Sequence, residues 1–206
     1  MKASAQRSNF LVAVLFLSFF SLSTAFSLAD ENKVNMNFVN EDLIKVIEFY
    51  SKVSGQKFIV DPVVRGKITL IFPTPITASE VFNNLSSALA VNGFAMSRQG
   101  DTLIVKSARS IQRDLLEVGT ELPPLKPERL FTWVYEPRYI SSDDILKQLR
   151  ILTSKDGEVV TLDKTNRLVM TDWVSNLYRV REILKLVDIE TPASAPRATK
   201  ATKPKK

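Results

Sequence analysis

Apolar and polar positions alternate with period two through Val34-Asn35-Met36-Asn37-Phe38-Val39, which predicts a first, half-buried strand. Asn40 then suits a helix cap, with Glu41 and Asp42 in the first turn, and Leu43, Ile47, Tyr50 and Val53 form an apolar stripe that stops at Gly55. Phe58-Ile59-Val60 and Lys67 to Phe72 are β-rich runs separated by Asp61-Pro62 and Gly66, a strand, tight turn and strand lying between two helices. The second of those helices is announced by Thr77-Ala78-Ser79-Glu80, a capping box, followed by Val81, Phe82, Leu85, Ala88 and Leu89 on one face and Gly93 as its stop. Phe94 to Arg98 and Thr102 to Lys106, joined by Gln99-Gly100-Asp101, predict a β-hairpin.

The periodicity loosens from Ala108, and Pro123, Pro124 and Pro127 forbid a regular element across residues 121–128. A second pattern starts at Leu130-Phe131-Thr132-Trp133-Val134-Tyr135, a strand. It continues with a helix capped by Ser141 or Ser142 and striped by Ile145, Leu146, Leu149 and Leu152. Val159 to Leu162 and Leu168 to Met170 read as a strand pair around Asp163-Lys164-Thr165-Asn166, and Trp173, Leu177, Val180, Leu184 and Val187 stripe a last helix. The expected fold class is α+β: two small domains, β-α-β-β-α-β-β over residues 30–107 and β-α-β-β-α over residues 129–190. A Pro-containing linker (108–128) joins them and an irregular Lys-rich tail (191–206) follows. Domains this small have marginal cores, so association with neighbours is expected.

Composition narrows the functions such a chain could perform. Residues 1–29 pair a short basic lead with an apolar run from Phe10 to Phe20 and then small residues, the layout of a secretory signal peptide with cleavage expected before Asp30. Cysteine and histidine are both absent, which excludes disulfides, Cys/His zinc sites, Ser-His-Asp triads and thiol nucleophiles. The formal charge of +6 resides at the ends: residues 1–29 hold two bases and the tail from Ala193 five, leaving 28 − 7 = 21 bases against 22 acids between. The pI therefore indicates no basic face for nucleic acid. The lysines of the tail read as a solvated extension, with attachment to an anionic envelope surface as the sharper alternative.

No residue constellation calls for an enzyme, a metal or a cofactor. Asp143-Asp144 suits the first turn of a helix, where the dipole favours acids, better than a catalytic carboxylate pair. Arg65-Gly66-Lys67 has one glycine, too few for a phosphate cradle, and Gly66 is better explained as a turn former. Trp133, Tyr135, Tyr139 and Trp173 have as many acids as bases nearby and suit a core or protein interface better than base stacking.

A resemblance adds to this. Phe38-Val39-Asn40-Glu41-Asp42-Leu43-Ile44-Lys45-Val46-Ile47 and Gly55 through Leu70 resemble the short amino-terminal domain of bacterial outer-membrane secretins, especially those of type II secretion; the same domain type begins TonB-dependent signal transducers. Ser142 to Leu149 and Thr165-Asn166-Arg167-Leu168-Val169-Met170-Thr171-Asp172 resemble the next, KH-like repeat domain of secretins. The resemblance implies a non-enzymatic periplasmic module whose first domain docks an inner-membrane platform protein or secretin subunits, whose second packs beside its own copies, and which meets the membrane only indirectly. Nucleic acid is not an expected partner, since no Gly-x-x-Gly loop lies between Leu149 and Glu158. Strand edges are the expected contact, and Val34, Asn35, Met36 and Asn37 are the candidate partner-binding residues. A secretin would continue to a gate and barrel. A stand-alone adaptor, a piece of a split or truncated secretin, and a signalling module like that of the transducers are therefore all open on the sequence.

Overall fold

The computed structural model describes residues 33–113 and 116–190; the expected signal peptide and the Lys-rich tail lie outside them. The first half runs β1 (Lys33–Val34), β2 (Phe38–Asp42), α1 (Leu43–Ser54), β3 (Lys57–Val60), β4 (Lys67–Leu70), β5 (Ile76–Thr77), α2 (Ala78–Val91), β6 (Phe94–Gln99) and β7 (Thr102–Ser107). Three small sheets share one core: β1 pairs antiparallel with β5, β2 antiparallel with β4, and β3 runs parallel to β7, which pairs antiparallel with β6. Leu43, Val46, Val81, Leu85 and Leu89 from the two helices are completely buried in that core. The capping box at Thr77 and Glu80 is present, and Gly55 (φ +69°) ends α1 with its N–H on the Ser51 carbonyl.

Two sequence expectations are corrected here. The first strand is not continuous, because Asn35 to Asn37 fall between β1 and β2. The period-two pattern records only that Val34, Met36 and Phe38 face the core, which an irregular segment also achieves. Nor does Asn40 cap α1. It sits in β2 at φ +53°, donating its N–H to Thr69 Oγ1 (3.0 Å) beside a break in register, and Asp42 caps instead by accepting from the Ile44 N–H at 2.9 Å. Glu41 and Asp42 stay in the ladder with Ile68 and Lys67, so the helix can start only after them.

Residues 58–70 do form strand, turn and strand, yet β3 and β4 belong to different sheets. The turn carries the chain across: Asp61 accepts from the Val63 N–H through its side chain and from the Val64 N–H through its carbonyl, both at 2.9 Å, and Val64 enters the core. Gly66 adopts φ +139°, and its carbonyl takes the first N–H of α1, at Leu43. A Cβ there would stand 3.3 Å from Asn92 Oδ1 and 3.4 Å from Leu43 Cδ1, so close approach as well as conformation calls for glycine.

After β7 a short helix α3 (Ala108–Gln112) and the strand β8 (Val118–Gly119) occupy part of segment 108–128, while residues 121–128 hold no regular element. The second half continues with β9 (Leu130–Tyr135), α4 (Ser142–Leu149), β10 (Glu158–Leu162), a 3-10 turn, β11 (Arg167–Trp173) and α5 (Val174–Val187). Its single sheet has the order β10-β11-β9-β8, antiparallel except for the parallel β8–β9 pair. Both helices bury Ile145, Leu149, Leu177, Val180 and Leu184 against Trp133, Leu168 and Met170 on one face of this sheet. Trp173, expected in the stripe of the last helix, instead ends β11 and occupies the cap position of α5. Leu152 lies beyond the end of α4 but still packs on the same core.

Candidate functional site

The four predicted contact residues have unequal roles. Val34 pairs with Ile76 in β1, and Asn35 is exposed. Met36 is buried at 1% exposure within the core, and Asn37, itself exposed, accepts the Phe72 N–H at its Oδ1 at 2.8 Å. Met36 and the Asn37–Phe72 hydrogen bond thus hold the segment down, and of the four residues Asn35 and Asn37 are exposed, Val34 is half-buried and Met36 is buried. The sequence reading missed the neighbouring surface. Val39 and Ile71, 72% and 70% exposed, lie next to Phe38 and Leu70, a cross-strand pair whose side chains pack on the core. Both are apolar where the alternation calls for polar residues, and that mismatch was the available signal.

In the second half, the face of the sheet away from the helices carries a row of three valines, Val160 opposite Val169 and Val169 opposite Val134. At its edge, β10 pairs on one side only among the described residues and also exposes Leu162. Beside it a cavity of ≈ 540 Å³ runs between β10 and the end of α4, lined by Leu146, Arg150, Thr153 and Val159.

Polar groups brace these surfaces. Asp172, 2% exposed, accepts from Ser154 N (2.8 Å), Ser154 Oγ (2.5 Å), Trp173 N (2.7 Å) and Asn176 Nδ2 (2.6 Å), which pins the loop leading into β10. Gly157 lies so close that a Cβ would come within 2.3 Å of Asp172 Oδ2. Asp188, at the end of α5, accepts from the Tyr135 hydroxyl (2.6 Å) and from the Arg138 and Tyr139 N–H groups. Burial pushes the Asp188 carboxyl up, but these hydrogen bonds outweigh it and hold the group below the usual carboxylate range. Burial, and then the Asp188 carboxylate, push the Tyr135 phenol well above its ordinary value, so the proton stays on tyrosine.

Of the acids weighed for chemistry, Asp144 has a structural role. Ser141 caps α4, its hydroxyl oxygen accepting the Asp144 N–H and its hydroxyl donating to the Asp144 carboxylate, while Asp144 also pairs with Lys147 at 3.2 Å. Among the described residues no group of acids could hold a metal ion, no buried side-chain polar atom lacks a partner, and no helix is long and apolar enough to cross a membrane.

Comparison with known proteins places these two halves. Residues 36–105 match the family model of the GspD-like N0 domain, and residues 132–193 match that of the bacterial type II/III secretion system short domain. The chain is 24% identical to the secretin XcpQ of Pseudomonas aeruginosa over 153 residues, covering 74% of this chain and 22% of XcpQ. It is 27% identical to the secretin GspD 2 of Escherichia coli, covering 78% of this chain and 24% of that protein. The chain therefore spans about a quarter of the length of the secretins it matches. Its fold also superposes on the Klebsiella pneumoniae type II secretion outer membrane complex of PulD, PulS and the PulC HR domain, with a TM-score of 0.66, 24% identity, and 75% of this chain and 26% of the other covered.

Proposed function

We propose that this chain, which carries in order the GspD-like N0 domain and the type II/III secretion short domain of the secretin amino terminus, acts as a non-enzymatic protein-interaction module in the periplasm. It would serve a type II secretion or type IV pilus-like apparatus, alone or at the front of a longer chain. The observation that carries this reading is the occurrence of both domain types in the order found in secretins, together with the fold match to PulD solved alongside PulS and the PulC HR domain. The first domain docks an inner-membrane platform protein of the PulC kind or a secretin ring. Its contact is the edge of β1 with Asn35 and the apolar pair Val39 and Ile71, because an unpaired strand edge beside exposed apolar residues can take a partner's strand. The second domain associates with its own copies through the β10 edge and the valine row.

The test is retention of a purified PulC-type HR domain, and of secretin subunits, by the immobilised protein. Binding that the double substitution Val39→Asp and Ile71→Asp abolishes is the expected result. An intact protein that retains neither under conditions preserving membrane complexes would overturn the reading. Val160→Arg, by placing a charge in the valine row, is expected to lower self-association in sedimentation without affecting HR binding.

A further inference from the structure

We infer that the residues around Trp173 lock the two domains into one rigid body, so that the surfaces at Val39 and at β10 are presented in a fixed relative orientation. A third cluster of buried side chains, separate from the two main cores, supplies the lock. Ala95 of β6 and Ala108 and Ile111 of α3 pack there against Leu130 of β9 and Trp173 of β11, all at 8% exposure or less. Each domain thus contributes strand residues already held by its own sheet, and the contact cannot slip without disturbing both.

The joint is also tied to the loop that leads into β10. The Trp173 indole N–H donates to the Asp156 carboxylate at 3.3 Å, and Asp156 sits in the loop that Asp172 pins through Ser154. From the same loop Lys155 reaches back to the first domain, its Nζ lying 3.5 Å from where a Cβ on Gly93 would stand, and Glu158 meets Gln112 of α3 at 3.5 Å. The strap between the domains is fastened as well: Thr132 N–H donates to the Glu117 carbonyl, Trp133 Nε1 to the Thr120 carbonyl at 2.9 Å, and the Tyr178 hydroxyl to the Pro123 carbonyl at 3.0 Å. A cavity of ≈ 400 Å³ lined by Phe82, Met96, Leu116 and Leu130 opens beside the joint, so the lock depends on the Trp173 cluster and not on a broad interface.

Because the chain contains no cysteine, spin labels can be placed without altering the background. Labels at the exposed positions Glu48→Cys on α1 and Leu186→Cys on α5 of the full chain would report the interdomain distance by pulsed electron paramagnetic resonance. One narrow distance distribution is expected, and Trp173→Ala should broaden it. If Trp173→Ala does not fold, Ile111→Ala, which trims the same cluster from the α3 side, is the replacement. A broad distribution in the otherwise unaltered chain, or an unchanged width in a folded joint variant, would overturn the inference. The readout is independent of docking: loss of HR binding with a narrow distribution counts against the docking reading alone, and a broad distribution with binding retained counts against the joint alone.

Discussion

The first domain encloses its core with three sheets of two or three strands and two helices, whereas the second lays one four-stranded sheet beneath both of its helices. The patchwork needs ends that fit, and its ties are the Asp42 cap, the Thr77 capping box, the close-packed Gly66 and exposed hydrogen bonds such as Phe72 N–H to Asn37 Oδ1 and Gln56 Nε2 to the Asp101 carbonyl. In the second domain the ties span long stretches of chain and are partly buried, as Asp172 joins Ser154 to Asn176 and Asp188 joins α5 to the loop after β9. The first domain thus depends on packing and caps, and the second on packing plus polar clamps whose removal strands buried donors.

The comparison can be broken from either side. The largest expected effect is in the first domain, where Leu85→Ala removes a completely buried side chain and should lower stability by about 3 kcal/mol in denaturant titration. In the second, Asp172→Ala leaves the Ser154, Trp173 and Asn176 donors without their acceptor, and a loss of about 2 kcal/mol is expected. An Asp172→Ala protein as stable as the parent would show that the clamp contributes nothing. Thr77→Ala, which removes one arm of the capping box, should cost about 1 kcal/mol, read as a lower thermal midpoint.

The smallest effect is the pH dependence carried by the Asp188–Tyr135 pair of the second domain. The Asp188 pKa is lower in the folded state than in the unfolded chain, so its contribution is complete above the ordinary carboxylate value of about 4 and is lost as pH falls through the folded value. The Tyr135 pKa is raised on folding, so its contribution is complete below the ordinary phenol value of about 10 and declines as pH rises above it. Tyr135→Phe should therefore flatten the alkaline side of the stability profile. An unchanged alkaline limb would mean that the phenol is not held as the structure shows it.

Much of the architecture was legible in the residues. The capping box, the Gly55 stop, the hairpin around Gly100 and the stripes of α1, α2, α4 and α5 are local signals, and local backbone chemistry carries them through folding unchanged. What misled was pattern without pairing. Val34 to Val39 alternates like a strand, yet Met36 needs only to point inward, and whether Asn35 to Asn37 find a ladder partner depends on β4 and β5, more than 30 residues away. The proposed contact surface was partly legible for the same reason. Exposure of Val39 and Ile71 depends on which face of the β2–β4 pair the core takes, whereas the burial of Met36 follows the alternation that puts it on the apolar face with Val34 and Phe38.

The sequence by itself determined that this is an α+β protein of two small domains resembling those at the amino terminus of secretins. Turn residues, caps and periodicity act over a few neighbours, and zero counts of cysteine and histidine restrict chemistry wherever the chain goes. Only the tertiary structure decided that β3 and β4 join different sheets, that Trp173 belongs to a joint instead of a helix stripe, and that Asp172 and Asp188 act as clamps. Strand pairing and buried hydrogen bonds connect residues far apart in the chain, and their partners are chosen by the competition to fill a core and satisfy every buried polar group at once, which no local window of residues contains.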